Sequence, residues 1–141
     1  MKKVYVFLAD GFEEIEGLTV VDVLRRAGAD TETVSVMGRK EISGSHGIHV
    51  MADSLFEESD FSDARLLVLP GGMPGTTNLK DHTGLTELLE RFDREEKYIA
   101  AICAAPSILG SLGMLKGRKA CAYLSFEDKL DCEEAVCAPV V

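Results

Sequence analysis

The sequence predicts an α/β fold in which a mainly parallel sheet lies between two layers of helices, a three-layer sandwich. Three observations lead to this prediction. Short apolar runs alternate along the chain with stretches of helical period. The strongest runs lack the alternation of a sheet that faces water, so their strands should be buried on both faces. No repeat, linker or low-complexity segment divides the 141 residues, and we expect a single domain covering residues 1–141.

The pattern of the N-terminal part of the chain predicts a βαβ unit. A strand is predicted at Val4–Leu8, followed by a turn and by a helix over Glu13–Ala27. The helix has an apolar stripe, acidic residues in its first turn and basic residues in its last, as the helix dipole favours. Gly28 can cap it, and Thr31–Val36 is the next predicted strand.

The middle of the chain alternates turns with shorter elements. Glu41–Ser43 and Ile48–Met51 are predicted to form a hairpin, and the acidic stretch Leu55–Asp63 a surface turn. A third buried strand, Leu66–Leu69, runs into Pro70–Gly75, the richest turn signal in the sequence.

The last part begins with an amphipathic helix that ends near Glu96. A buried strand is predicted at Tyr98–Ile102, followed by a helix that starts around Pro106. Lys119–Tyr123 is predicted as a further strand and Phe126–Leu130 as a helical turn.

Composition limits the possible functions. The net charge of −9 argues against nucleic acid and anionic membrane surfaces as partners. The run Val4–Ala9 is too short for a signal peptide, so we expect a cytoplasmic protein with reduced thiols. No Cys/His spacing matches a zinc site, and we predict neither a metal nor a cofactor. The cysteines are Cys103, Cys121, Cys132 and Cys137.

Cys103 lies at the junction between a predicted strand and a predicted helix. A tight corner of this kind lifts a side chain out of the sheet, as in the nucleophile elbow of hydrolases. The helix N-terminus should stabilise a thiolate and lower the pKa of Cys103. A small buried hydrophobic side chain is the alternative interpretation, but it suits a cysteine inside an element better.

Two more loops should meet Cys103, because ligands bind at the carboxyl ends of parallel strands. Gly71 and Gly72 expose backbone N–H groups, and the N–H groups of Gly72 and Ala104 could hold an oxyanion. A tight turn or a phosphate nest would also explain the glycines. Glu16 is either a partner of the helix dipole or a buried general acid/base. Glu13 and Glu14 are predicted to be solvated dipole partners.

The three histidines, His46, His49 and His82, are predicted to lie at the surface, which weakens the case for a Cys-His protease. Asp22 should pair with Arg25 or Arg26 on the same helix.

The chain resembles the ThiJ/PfpI family, in the branch that includes the parkinsonism-associated protein deglycase. The resemblance covers the whole chain, and its motifs occur in family order and spacing. They are Leu8-Ala9-Asp10-Gly11-Phe12-Glu13-Glu14-Ile15-Glu16, Val21-Asp22-Val23-Leu24-Arg25-Arg26-Ala27-Gly28, Val68-Leu69-Pro70-Gly71-Gly72 and Ala100-Ala101-Ile102-Cys103-Ala104-Ala105-Pro106.

The resemblance implies a flavodoxin-like sandwich that is usually dimeric. It implies that Cys103 is the reactive nucleophile, that Glu16 hydrogen-bonds it, and that the backbone N–H groups of Gly72 and Ala104 face the thiol. Relatives continue beyond the position of Val141 through further strands, a glycine-rich loop and a helix. We therefore expect a C-terminally truncated domain that lacks those elements.

Two positions depart from the family pattern, and both lie near the expected substrate. Tyr123 stands where some members have a histidine, and His46 where close relatives have an arginine that reaches across the dimer.

The resemblance implies a cysteine-dependent glyoxalase or deglycase acting on methylglyoxal-type dicarbonyls or early glycation adducts. A redox-sensing or chaperone protein with an oxidisable cysteine is the second hypothesis. A cysteine peptidase is the third, and it ranks last because Ala104 occupies the position after the cysteine where peptidase branches have histidine.

Overall fold

The structure, a computed structural model, describes residues 3–141. Met1 and Lys2, which the predicted domain includes, lie outside the described residues. The elements of the N-terminal half are β1 (Lys3–Leu8), α1 (Glu14–Arg26), β2 (Thr31–Ser35), β3 (Glu41–Ser43), β4 (His49–Met51), β5 (Ser54–Leu55) and β6 (Ala64–Leu69). Those of the C-terminal half are α2 (Gly75–Asp81), α3 (Thr83–Arg94), β7 (Tyr98–Ala101), α4 (Pro106–Ser111), β8 (Lys119–Ala120) and β9 (Glu134–Ala135).

The central sheet has the order β5-β2-β1-β6-β7, and each of its pairs is parallel. Alternate residues of β1 face opposite sides of the sheet. Val4, Val6 and Leu8 pack in one apolar cluster with residues of α1. Tyr5 and Phe7 pack in a second cluster with residues of α2, α3 and α4. The predicted three-layer α/β sandwich is therefore confirmed.

The strand order places a switch point between β1 and β6. From β1 the chain crosses through α1 to β2 on one side, whereas β6 and β7 continue the sheet on the other. Ligands of open parallel sheets bind in the crevice where the order reverses, outside the carboxyl ends of the strands. The predicted hairpin is also present, as the antiparallel pair β3–β4.

The prediction that Tyr98–Ile102 is buried on both faces is wrong. The strand β7 is an edge of the sheet, and Tyr98 and Ile102 are 62% and 46% exposed. Its apolar sequence faces an open groove of about 410 Å³ between α1 and the sheet, lined by Val20, Val23 and Ala100 among others. The hydrophobic period and the composition of a segment do not distinguish a central strand from an apolar edge strand.

Two further predictions need correction. Leu55–Asp63 is not simply a surface turn, because Phe61 is buried and Phe56 packs against the same cluster. No periodic pattern predicts α2, which is short and starts at Gly75 in the turn-rich stretch. The predicted strand Lys119–Tyr123 is shorter than expected, since β8 ends at Ala120, whereas the predicted helical turn is present over Leu124–Lys129.

Among residues 3–141, no helix combines the length and the apolar character that crossing a bilayer requires.

Phe92 tests the packing of α3 on the sheet. Its side chain is fully buried in the larger apolar cluster. We expect Phe92→Ala to lower the free energy of unfolding by about 3–5 kcal/mol, because it removes buried area and leaves a cavity. The exposed neighbour provides a control: Glu90→Ala should change it by less than about 0.5 kcal/mol. Urea denaturation measures both, and equal effects would contradict the described packing.

Candidate active site

The loops after β1, β6 and β7 meet at one point of the sheet edge. The N–H of Glu13 donates to the carbonyl of Gly71 across 2.9 Å, which joins the first loop to the second. A β-carbon added to Gly71 would lie 2.7 Å from Cys103 Cβ and 2.9 Å from Glu16 Oε2. Gly71 therefore lies in direct contact with both predicted reactive side chains, and the three loops form one site.

Cys103 occupies a strained corner of the backbone. Its φ is +63°, a left-handed conformation that non-glycine residues adopt rarely. Such residues concentrate at functional sites, where the surrounding structure holds them in place. Here the Ile102 N–H donates to the Leu69 carbonyl and the Tyr123 N–H donates to the Cys103 carbonyl, at 3.2 and 2.9 Å. The predicted elbow is thus present, with contacts on both sides that fix it.

Glu16 extends from the first turn of α1 towards the thiol. Its Oε2 is fully enclosed, and no described residue gives that atom a hydrogen-bond partner of good geometry. Burial raises the pKa of Glu16, while the nearby Cys103 thiol and the Gly71 N–H oppose that effect. A buried carboxylate oxygen without a donor is costly, so the enclosure favours a protonated carboxyl.

Burial also raises the pKa of the Cys103 thiol, and the charge and hydrogen bond of Glu16 add to it. The backbone N–H groups of Ala104 and Gly72 act in the opposite direction but do not outweigh burial. The prediction that a helix N-terminus lowers this pKa is therefore wrong. The helix α4 has only six residues and starts at Pro106, so its dipole is weak and offset from the sulfur.

Because burial raises both pKa values, the pair resists losing both of its protons, and we expect the two groups to share a proton at neutral pH. A thiolate can form without creating a second charge only if the proton moves to Glu16. The arrangement thus allows Glu16 to accept the thiol proton.

Gly71 and Gly72 meet two different demands. Gly72 has φ +92°, and a β-carbon there would overlap the backbone nitrogen of Glu13. Gly71 lacks a positive φ but leaves no room for a side chain beside Cys103. The tight-turn explanation therefore holds for Gly72, and a close approach to the reactive groups explains Gly71. The N–H groups of Gly72 and Ala104 both face the sulfur and act to lower its pKa; that they stabilise an oxyanion stays a prediction.

The prediction of solvated dipole partners is wrong for Glu14, whereas Glu13 is partly exposed and lies at the N-terminus of α1 as predicted. Glu13 caps α1 by accepting a hydrogen bond from the Glu16 N–H at 3.0 Å. Glu14 is buried, with 4% of its surface exposed, and accepts hydrogen bonds from the loop between β3 and β4. Gly44 is the sequence feature that these contacts require, because a β-carbon there would overlap Glu14 Oε1. A glycine in a sequence does not indicate which side chain approaches it.

His46 and Tyr123 lie close to the site without contacting the thiol through a described hydrogen bond. The His46 ring is 3.0 Å from Glu14 Oε2 and largely exposed. Tyr123 approaches through its backbone, and its side chain is 61% exposed. His49 is exposed as predicted, but His82 is not: its ring caps α3 and packs on Phe56. Asp22 pairs with Arg26, as predicted.

Glu13, Glu14 and His46 place possible ligand atoms within 4.8 Å of one another. Both oxygens of Glu14 already have hydrogen-bond partners in the loop. Oε1 lies 2.7 Å from the backbone nitrogen of His46, and Oε2 lies 3.0 Å from its ring nitrogen Nδ1. We therefore describe this group as a hydrogen-bonded cluster that joins the loop to α1.

Comparison with known proteins identifies relatives along the entire chain. A model of the DJ-1/PfpI family matches residues 2–140. The protein DJ-1 homolog B of Arabidopsis thaliana is 39% identical over 141 residues, which cover 99% of this chain and 31% of that protein. The deglycase TK1284 of Thermococcus kodakarensis is 34% identical over 127 residues, 89% of this chain and 75% of that protein. The chain spans only about a third of the length of the Arabidopsis relatives.

A solved structure, oxidized DJ-1 from Toxoplasma gondii, superposes with a TM-score of 0.94 at 37% identity. The superposition covers 100% of this chain and 77% of that one. The Drosophila melanogaster DJ-1beta structure gives a TM-score of 0.87 at 31% identity, with 92% of this chain and 70% of that one covered.

Gly71→Ala should disrupt the site. The new methyl group would overlap Cys103 and Glu16, so we expect alkylation of Cys103 to slow by roughly tenfold or more, as for misplaced reacting groups. Gly28→Ala is the control: Gly28 has φ +79° in open space, so the change should cost about 1–2 kcal/mol of stability but leave alkylation unchanged. Rates that fall equally in both variants would mean that stability alone controls the site.

The shared proton predicts that Cys103 is the most reactive thiol. Cys137 is exposed and would react first if access alone decided the rate. The raised pKa of Cys103 would by itself slow its reaction, so the expectation that it is the fastest of the four cysteines at neutral pH depends on transfer of its proton to Glu16. Limited iodoacetamide labelling with peptide mass spectrometry measures this order, and equal labelling of Cys103 and Cys137 would contradict the prediction.

Proposed function

The chain belongs to the DJ-1/PfpI family, and from this membership we propose that it is a cysteine-dependent glyoxalase or deglycase. Its substrates would be methylglyoxal-type dicarbonyls or the early adducts that they form with amino and thiol groups. The observation that carries the proposal is the contact of the strained Cys103 corner with the enclosed Glu16 carboxyl, on either side of Gly71. A named deglycase, TK1284, is among the relatives.

The first step is addition of the Cys103 thiolate to the aldehyde carbon of methylglyoxal. A carbon–sulfur bond forms, the carbonyl π bond opens, and the oxygen becomes an alkoxide. The N–H groups of Gly72 and Ala104 stabilise that charge, since both already point at the sulfur region. Glu16 then gives its proton to the alkoxide, which produces a hemithioacetal and leaves a carboxylate.

The second step moves a proton between neighbouring carbons. The Glu16 carboxylate removes the proton from the former aldehyde carbon, which gives an enediol as the neighbouring ketone oxygen is protonated. Glu16 then returns its proton to the adjacent carbon while the hydroxyl on the sulfur-bound carbon loses its proton and becomes the carbonyl, which converts the hemithioacetal into a lactate thioester. Water then cleaves the carbon–sulfur bond, so that lactate leaves and the thiol is restored. The balance is one methylglyoxal and one water consumed for each lactic acid formed, with no external oxidant or reductant.

A redox role is the second candidate. The structural relative from Toxoplasma gondii is described as oxidized. Peroxide would oxidise the partly accessible Cys103 thiol to a sulfinate, with each peroxide reduced to water, and a protonated Glu16 would stabilise the product by donating a hydrogen bond. The peptidase alternative has less support, because the described residues include no hydrogen bond between a histidine ring and Cys103.

Lactate formation from methylglyoxal tests the proposal. Cys103→Ser should abolish turnover, whereas Cys137→Ser, at an exposed cysteine, should leave it intact. Glu16→Gln should lower turnover by roughly 10²-fold or more and shift the titration of the Cys103 thiol. Asp22→Asn, on the exposed side of the same helix, is the control for Glu16.

The outcomes separate the two candidates. Turnover that persists in Cys103→Ser would overturn the enzymatic proposal. An inactive wild-type protein whose Cys103 gains two oxygen atoms in peroxide, by intact mass, would favour the redox role instead. Unchanged turnover in Glu16→Gln would exclude the proton transfer that the mechanism assigns to this residue.

A further inference from the structure

The loop between β3 and β4, residues 44–48, is held against α1 by one buried side chain. Glu14 accepts hydrogen bonds from the His46 N–H at 2.7 Å, the Ser45 hydroxyl at 3.3 Å and the Ile48 N–H at 3.4 Å. The His46 ring nitrogen Nδ1 lies 3.0 Å from the other carboxylate oxygen. Gly44 lets the loop approach this closely, because a β-carbon there would overlap Glu14 Oε1.

The segment that this loop contacts also builds the site. The Ser45 N–H donates to the Phe12 carbonyl at 2.8 Å, and the next residue, Glu13, donates its N–H to Gly71. Glu13 also caps the helix turn that carries Glu16. Hydrogen bonds together with the backbone of residues 12–14 therefore connect the loop to Gly71 and Glu16.

We infer that Glu14 is a positioning residue, which together with His46 fixes the loop on α1 and so holds the Glu16 carboxyl and the Gly72 N–H in place around Cys103. The activity arm of this inference rests on the proposed function; the structural arm does not. Glu14 is well suited to the role because it is buried, contacts no reacting atom and receives donors from several residues of the loop.

The inferred contact depends on pH in a defined direction. Burial opposes the charge of Glu14, but hydrogen bonds from His46 and the backbone outweigh it and lower the pKa of Glu14 to about 2. The hydrogen bond to Glu14 raises the pKa of His46. Glu13 is the other charged group that faces His46, and Asp10, at the base of the loop, is already paired with Arg39.

The signs follow from linkage. The contribution of Glu14 is complete above its ordinary pKa of 4.5 and is lost as the pH falls towards about 2. The contribution of His46 is complete below its ordinary pKa of 6.5 and is lost as the pH rises through the raised value. The loop should therefore be held most firmly between pH 4.5 and 6.5 and should loosen in alkaline solution.

Hydrogen–deuterium exchange of the backbone amides of residues 45–48 tests the structural arm in the Cys103→Ser protein, where the thiol cannot contribute. After correction for intrinsic rates, exchange should accelerate by roughly fivefold between pH 6 and pH 9, the upper range for an exposed ion pair. His46→Gln should remove this pH dependence, and Glu14→Gln should exchange fast at both values. His49→Gln is the matched control, because His49 pairs with Glu41 inside the hairpin and away from α1.

The site is tested with Cys103 present. At pH 6 we expect Glu14→Gln to slow the alkylation of Cys103 and to lower kcat/KM for methylglyoxal by roughly tenfold, since small displacements of reacting groups are costly. His46→Gln should lower both at pH 6 and equal wild type at pH 9. His49→Gln should match wild type at each pH.

Exchange that does not change with pH in the wild-type loop, or that changes equally in His46→Gln, would overturn the inference. Altered exchange with normal alkylation in Glu14→Gln would overturn the positioning role, because the loop would then be held without effect on the site. If the wild-type protein forms no lactate while alkylation and exchange behave as expected, the proposed function fails and the inference stands.

Discussion

The enclosed space between Cys103 and Glu16 disfavours two negative charges at the same time. Burial raises the pKa of both groups, so neither can ionise as it would in water. We propose that Cys103 and Glu16 share a proton, which avoids a second buried charge. The sulfur is a nucleophile when that proton lies on Glu16. The two backbone N–H groups near the sulfur then have a charge to stabilise. We therefore propose that reactivity at this site depends on the proton shared by Cys103 and Glu16 rather than on the dipole of the short helix α4.

The fold brings these groups together by placing three strand ends at one switch point. The end of β1 leads to Glu16 through the first turn of α1, β6 leads to the glycine pair, and β7 leads to Cys103. Gly71 is the contact through which the three meet, because its missing side chain is the space that Cys103 and Glu16 occupy. The left-handed backbone at Cys103 is sustained by hydrogen bonds from neighbouring segments, as a strained residue requires.

Apolar period and strand-end position were sufficient to predict the layers, the hairpin and the convergence of three loops at one edge of the sheet. They left the role of Glu16 open, and only the family resemblance implied that it contacts Cys103. The sequence did not reveal that β7 is an edge, since an apolar run shows burial tendency and not the number of neighbouring strands. Glu14 and His82 were also wrongly predicted to be exposed to solvent. Their burial depends on donors and aromatic neighbours from distant segments, which no local spacing records. The pKa of Cys103 was missed for the same reason, because it depends on enclosure by three separate loops.

The central claim is that Glu16 carries the shared proton when Cys103 is a thiolate, and infrared spectroscopy observes that proton directly. The difference spectrum between wild type and Glu16→Gln at neutral pH should contain the carbonyl band of a protonated carboxylic acid. That band should shift in deuterium oxide. It should also change in Cys103→Ser, because that variant has no thiolate with which Glu16 can share the proton. A difference spectrum with only carboxylate bands, unaffected by Cys103→Ser, would contradict the account.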